Sequence, residues 1–136
     1  MRVITKIIVH CTATPEGRHH NIYDVKRWHL ERGFSDVGYH YLILLDGTIE
    51  PGREERTPGA HCVGRNADSI GIAYVGGCDN NMQPKDTRTI EQRRSLTFLL
   101  HTLRQKYPHA IIYGHRDFDK GKACPSFDAR NEYLNL

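Results

Sequence analysis

The chain has 136 residues, of which 38% are hydrophobic and 26% are charged, and its formal net charge is +3. This length and composition fit one globular domain over residues 1–136 and exclude a disordered or fibrous chain. No apolar run is long enough to span a membrane and no basic block marks a nucleic-acid site, so we expect neither a membrane span nor a nucleic-acid partner.

Apolar periodicity and turn residues divide the chain into strands and helices that alternate. In chain order they are a strand over 3–9, a helix over 21–33, hairpin strands over 39–45 and 48–50, a strand over 70–75, a helix over 89–107, a strand over 110–113 and a short helix over 126–133. Strands that alternate with helices and include one tight hairpin predict an α/β fold with a mixed central β-sheet flanked by helices.

The cysteines give no sign of a disulfide framework. They are Cys11, Cys62, Cys78 and Cys124, and none of them belongs to a CxxC pair. The first predicted strand starts without a preceding export signal, so we expect synthesis and folding in the cytoplasm, where disulfides are rare. A thiolate metal ligand or a buried thiol is therefore the better interpretation of each cysteine.

Nine histidines raise the question of a metal site, although no local zinc motif is present. His10 ends the first strand, His115 follows the strand over 110–113 by two residues, and Cys124 lies nine residues further on. If the two strands are neighbours, their ends bring these side chains together. Two imidazoles and a thiolate suit Zn²⁺ and leave a fourth position for water. Spacing alone also permits hydrogen-bonded histidines and a core cysteine.

A thiol nucleophile is the next alternative, because Cys11 adjoins His10 and Cys62 adjoins His61. Neighbouring residues on an extended strand point to opposite faces, so neither adjacency makes a thiolate–imidazole pair. The chain also lacks the GxSxG, Walker and GxGxxG motifs. Acyl-enzyme and nucleotide chemistries are therefore disfavoured.

Four strings stand out along the chain, in the order IIVHCTAT, DVGYHYLILLDGTIEPGR, GAHCVGRNADSIGIAYVGG and GHRDFDKGKACPSFD. Together they resemble the zinc-dependent N-acetylmuramoyl-L-alanine amidases, the family that includes podophage amidase-type lysozymes and peptidoglycan recognition proteins. The resemblance covers about residues 4–128. It implies one α/β domain with zinc at the floor of a groove, and hydrolysis of the amide between N-acetylmuramic acid and L-alanine in peptidoglycan.

The resemblance also implies roles for individual residues. They are His10, His115 and Cys124 as Zn²⁺ ligands, Tyr39 and Lys122 as catalytic residues, and His61 as a substrate contact. Lys120 lies close enough in sequence to leave open which ammonium group reaches the groove. His40 is expected to face away from Tyr39 and to form structural hydrogen bonds.

The implied partner is peptidoglycan, on which the protein would act as a phage or prophage endolysin. The podophage lysozyme also inhibits its phage RNA polymerase, an activity that we do not extend to this chain. Two alternatives remain at this point. One is a module that binds peptidoglycan fragments without cutting them, and the other is a closed structural zinc site or a metal-free regulator that binds a protein. The presence of Cys124 with both histidines favours the enzyme.

Overall fold

A computed structural model describes residues 2–136. Within that range the helices and strands are β1 Lys6–Cys11, β2 Thr14–Pro15, α1 Ile22–Glu31, β3 Tyr41–Ile43, β4 Ile49–Pro51, β5 Ser69–Tyr74, β6 Gly77–Cys78, α2 Ile90–Lys106, β7 Ile111–Gly114 and α3 Ala129–Glu132. Single-turn 3₁₀ helices cover Asn66–Asp68 and His115–Asp117.

Five strands form the central sheet in the order β4-β3-β5-β1-β7. β3 and β4 are the antiparallel strands of the hairpin, whereas β1 pairs in parallel with both β5 and β7, and β3 pairs in parallel with β5. The small strands β2 and β6 form a separate parallel pair. This mixed sheet with its helices confirms the predicted α/β fold.

The two faces of the sheet bury different side chains. Leu100 of α2 lies in the larger core cluster with Val9 of β1. Val25 of α1 lies in the smaller cluster with Leu42 of β3. Because successive side chains of a strand point to opposite faces, His10 projects from β1 away from the α2 side. The first strand therefore presents a histidine to the face that also carries α1.

Both long helices begin at residues that cap their free backbone N–H groups. The side chain of Asn21 accepts from the Asp24 N–H at the start of α1, and Asp24 accepts in return from the Asn21 N–H. Thr89 and Gln92 form the same reciprocal pair at the start of α2. Such capping boxes satisfy donors that a helix leaves unpaired. No helix within residues 2–136 has the length and apolar character to cross a membrane.

Several boundaries differ from the sequence-based expectation, and the strand predicted over 39–45 is limited to Tyr41–Ile43. The predicted strand over 3–9 begins only at Lys6, because its partner β5 begins at the same level of the ladder. The helix predicted over 126–133 is limited to Ala129–Glu132, because Asp128 turns its side chain to the Asn131 N–H and caps the helix there. The pair β2 and β6 is absent from the prediction, since two-residue strands are too short to show alternation.

A buried arginine ties the carboxyl-terminal segment to the start of α2. The side chain of Arg88 has no exposed surface and pairs with Asp86 at 2.9 Å and with Glu132 at 2.8 Å. Its guanidinium carbon lies 3.4 Å from the centre of the Phe127 ring. These contacts fix the segment that follows Cys124.

Candidate active site

The first two members of the site come from paired strands. Val9 of β1 is the ladder partner of Gly114 of β7. Since the strands are parallel, the next residues along each of them, His10 and His115, lie side by side, with ring centres 4.6 Å apart. The sequence predicts that these two histidines meet only if their strands are neighbours, and β1 and β7 are paired.

The third member comes from the loop after β7. The Arg116 N–H donates to the Cys124 carbonyl at 2.8 Å, which folds this loop back towards the sheet. The Sγ of Cys124 then lies 3.8 Å from the Nδ1 of His10 and accepts a hydrogen bond from the Cys11 N–H at 3.2 Å. Ligand atoms of His10, His115 and Cys124 all lie within 4.8 Å of one another, so the group is able to hold a metal ion.

The protonation states of the three side chains bear on metal binding. Burial lowers the pKa of His10 and also that of His115, so both rings are neutral near pH 7. The pKa of the Cys124 thiol is raised for two reasons. The larger is a hydrogen bond with the Cys11 side chain, and the second is burial. Metal ligation requires neutral imidazole and thiolate, and a bound cation is the group that would keep this sulfur deprotonated.

The three side chains face a groove of about 490 Å³. Tyr39 lines the groove beside His10, with ring centres 5.2 Å apart. Burial raises the pKa of the Tyr39 hydroxyl, so it is a proton donor near neutral pH. Lys122 lines the same groove and is exposed, whereas Lys120 is not among the lining residues. The geometry thus brings Tyr39 and Lys122 to the histidine–cysteine cluster.

His61 is expected to contact substrate, but its side chain is almost completely buried. Its ring borders the groove, but the residue is only 8% exposed. The Nδ1 of His61 lies 2.8 Å from the Nε2 of His10, and its Nε2 lies 3.2 Å from the Oγ of Ser69. Burial lowers the pKa of His61 to about 3. Both ring nitrogens are therefore engaged by protein groups.

Two further histidines shape the backbone around the site. The Nδ1 of His40 accepts from the Gly71 N–H at 3.0 Å, which confirms its expected structural role. The Nδ1 of His29 accepts from the Gly38 N–H at 2.7 Å and thereby holds the residue that precedes Tyr39. The helical pattern over 21–33 does not mark His29 as a site residue, because a histidine on the inner face of a helix carries no signal of this bond.

Sequence reasoning also missed several residues that surround the groove. Arg32, Phe34 and Asn66 line it, and none belongs to a local catalytic motif. The Oδ1 of Asn66 accepts from the backbone N–H groups of His61 and Cys62, both at 3.0 Å. Its place in the string GAHCVGRNADS is the one signal that marks Asn66 as part of the site.

Comparison with known proteins gives a consistent picture. The family model described as N-acetylmuramoyl-L-alanine amidase matches residues 1–127. The endolysin of Enterobacteria phage K11 is 42% identical over 124 residues, which cover 91% of this chain and 82% of that protein. The endolysin of Escherichia phage T7 is 43% identical with the same two coverages.

Solved structures extend the comparison to the fold. The N-acetylmuramoyl-L-alanine amidase LysC from Clostridium intestinale URNW superimposes with a TM-score of 0.81 at 31% identity, covering 96% of this chain and 82% of that one. Wild-type Drosophila PGRP-LB gives a TM-score of 0.81 at 24% identity, with coverage of 100% and 82%. At that lower identity, the second likeness concerns the fold alone.

Proposed function

Because the chain belongs to the N-acetylmuramoyl-L-alanine amidase family, we propose that it is a zinc hydrolase whose ligands are His10, His115 and Cys124. It cleaves the amide between N-acetylmuramic acid and L-alanine in peptidoglycan and so lyses the cell wall. The observation that carries the proposal is the convergence of the three ligand atoms within 4.8 Å at the floor of the groove.

The donor set fits zinc better than the other common metals. Two imidazole nitrogens and one thiolate are borderline-soft ligands, whereas Mg²⁺ and Ca²⁺ prefer oxygen. Tetrahedral zinc with ordinary Zn–N and Zn–S bonds places a nitrogen and a sulfur about 3.5 Å apart. The Nδ1 of His10 and the Sγ of Cys124 are separated by 3.8 Å. Three protein ligands that face an open groove are typical of catalytic rather than structural zinc.

The remaining residues act on the scissile amide. The chemistry that zinc supplies when bound is a lowered pKa for water, to about 7, and polarisation of a carbonyl. The Tyr39 hydroxyl, which burial keeps protonated, donates a hydrogen bond to the carbonyl oxygen as negative charge develops there. The Lys122 ammonium group reaches the same oxygen from the exposed wall of the groove and offsets that charge. What supports Lys122 rather than Lys120 in this role is its position on the groove lining.

The substrate of the reaction is a polymer, which suits an open groove rather than a closed cavity. The endolysin relatives and the amidase LysC support peptidoglycan as the polymer. We assign the cell wall as the site of action. The sugar and peptide chains on either side of the cleaved bond would extend along the groove, whose lining includes Arg32 and Lys122.

The decisive experiment identifies the bond that is cut. Purified protein is incubated with bacterial wall suspensions, and turbidity, zinc content and the mass of the released fragments are measured. We expect about one zinc per chain, loss of turbidity, and stem peptides with a free L-alanine amino group. Wall binding without release would indicate a binding module, and zinc without any effect on walls would indicate a structural site. Either outcome contradicts the proposal.

A further inference from the structure

We propose that His61 is a positioning residue for the zinc ligand His10: it accepts a hydrogen bond from the Nε2 of His10 and so directs the Nδ1 of that ring to the metal. This inference rests on the proposed function, because it assumes that His10 is a ligand. It replaces the substrate contact that the family resemblance implied for His61 with an action inside the protein.

The hydrogen-bond directions follow from the position of the sulfur. The Nδ1 of His10 is the nitrogen that faces Cys124, at 3.8 Å, so Nδ1 must be without a proton in order to bind a metal. The proton of the neutral ring is then on Nε2, which lies 2.8 Å from the Nδ1 of His61 and donates to it. A metal-bound histidine commonly donates its second N–H to such an outer acceptor.

The next hydrogen bond in this series, between His61 and Ser69, is consistent with this direction. Because the Nδ1 of His61 accepts, its proton is on Nε2, which lies 3.2 Å from the Oγ of Ser69. That hydroxyl has free lone pairs and accepts. Ser69 is fully buried at the start of β5. With a metal on the Nδ1 of His10, each ring in the series therefore has one tautomer that satisfies both of its nitrogens.

The ring of His61 lies in a narrow slot between backbone segments. A Cβ added to Gly71 would lie 2.5–2.7 Å from three ring atoms of His61, and one added to Gly59 would lie 2.7 Å from the ring Cδ2. The side chain of Asn66 accepts from the His61 N–H at 3.0 Å and fixes its backbone. These contacts leave the ring little freedom to turn towards a substrate.

The low exposure of His61 favours positioning of His10 over contact with substrate. With 8% of its surface exposed and both nitrogens engaged, the ring would have to break an existing hydrogen bond to contact substrate. Loss of a substrate contact would raise KM and leave metal affinity unchanged. Loss of a positioning contact would weaken metal binding even in the absence of substrate.

The test compares His61→Leu with His61→Asn in the full chain. Leucine removes the acceptor, whereas the Oδ1 of asparagine occupies about the place of the ring Nδ1 and restores it. Zinc affinity is measured by competition with a chromophoric chelator, and the ligand field by the absorption spectrum after Co²⁺ substitution. We expect a loss of affinity of about 10–100-fold and an altered Co²⁺ spectrum for His61→Leu. His61→Asn should lie within about threefold of the wild type.

Controls keep the outcome interpretable. His101→Leu, at an exposed position on α2, should bind zinc like the wild type. Wild-type affinity and spectrum in a folded His61→Leu protein would overturn the inference and leave the proposed function intact, whereas a wild-type chain that binds no zinc would overturn both. If His61→Leu does not fold, Ser69→Ala replaces it, with an expected loss of affinity of about 3–10-fold; an unchanged affinity there would equally overturn the inference.

Discussion

The backbone N–H of Cys11 donates a hydrogen bond to the Sγ of Cys124 at 3.2 Å, so the end of β1 holds the sulfur as well as supplying the neighbouring imidazole. An amide donor of this kind stabilises negative charge on the sulfur. One short segment of backbone thus contributes to two of the three proposed ligands.

Replacing the sulfur should abolish tight zinc binding. In Cys124→Ser the ligand becomes a neutral hydroxyl, which binds zinc far more weakly than a thiolate, and we expect an affinity loss of about 100-fold or more. Zinc content after gel filtration measures the effect. Cys78→Ser is the matched control, since Cys78 lies in β6, outside the ligand cluster and the groove lining. Full zinc content in Cys124→Ser would contradict the ligand assignment.

Removing the hydroxyl of Tyr39 should separate catalysis from metal binding. Tyr39→Phe keeps the ring that packs beside His10 but loses the hydrogen bond to the developing oxyanion. Loss of one such donor costs about 100-fold or more in rate. We expect kcat for the release of stem peptides to fall by that factor with zinc content unchanged. Wild-type turnover in this variant would refute the role.

The two lysines provide a matched pair. Lys122→Ala should reduce kcat by about 100-fold because a cation is lost from the groove wall. Lys120→Ala should retain nearly full activity, because Lys120 does not line the groove. Both residues are exposed, so neither change should alter the melting temperature by more than about a degree or two. A larger rate loss for Lys120→Ala would reverse the assignment.

Stability should decline in mild acid because of His29. Burial, followed by the positive charges of Arg32 and Arg53, lowers the pKa of this ring from 6.5 to about 4. The neutral ring accepts a hydrogen bond from the Gly38 N–H at its Nδ1. Between those values the unfolded chain binds more protons, so the contribution of His29 is complete above pH 6.5 and is lost as the pH falls towards 4.

The substitution His29→Asn tests this linkage. Asparagine retains an acceptor near the position of Nδ1 but does not titrate, so the free energy of unfolding should depend less on pH over this interval. Urea unfolding of the metal-free protein at pH 5 and pH 7 measures the difference. Equal slopes in the variant and the wild type would contradict the assignment.

The buried arginine should be important for stability. Arg88→Ala removes two ion pairs and the stacking on Phe127, and we expect a loss of about 2–4 kcal/mol in the free energy of unfolding. Arg93→Ala is the control, because its pairing with Asp86 is on the surface and is worth at most about 1 kcal/mol. Denaturant unfolding of the two variants gives the comparison, and equal effects would contradict the buried role.

Several parts of this architecture could be predicted because they have local sequence signals. The β-branched run before His10 predicts a strand end, and the Asp46-Gly47 pair predicts the hairpin. The α/β class follows from the order of such elements. The pairing of β1 with β7, which puts His10 beside His115, has no local sequence signal. The meeting of these two histidines could therefore be predicted only on the condition that the two strands are neighbours.

The less predictable features depend on contacts between distant segments. The choice between Lys120 and Lys122 depends on how the loop after β7 folds back, and the loop carries no periodic pattern. The slot around His61 depends on Gly59 in the preceding loop and Gly71 in β5, and the sequence carries no signal that both approach the ring. Sequence spacing identifies which residue types are available for chemistry, and tertiary packing determines which atoms of those residues meet.

The pairing of β1 with β7 makes the order of synthesis relevant to activity. During translation, His10 leaves the ribosome long before His115 and Cys124, so an incomplete chain has one of the three proposed ligands and no assembled centre. A proteolytic fragment that lacks either terminal strand would be inactive for the same reason. A metal that binds only the finished fold adds its binding free energy to that fold, which links the supply of the ion to the lifetime of the lytic protein.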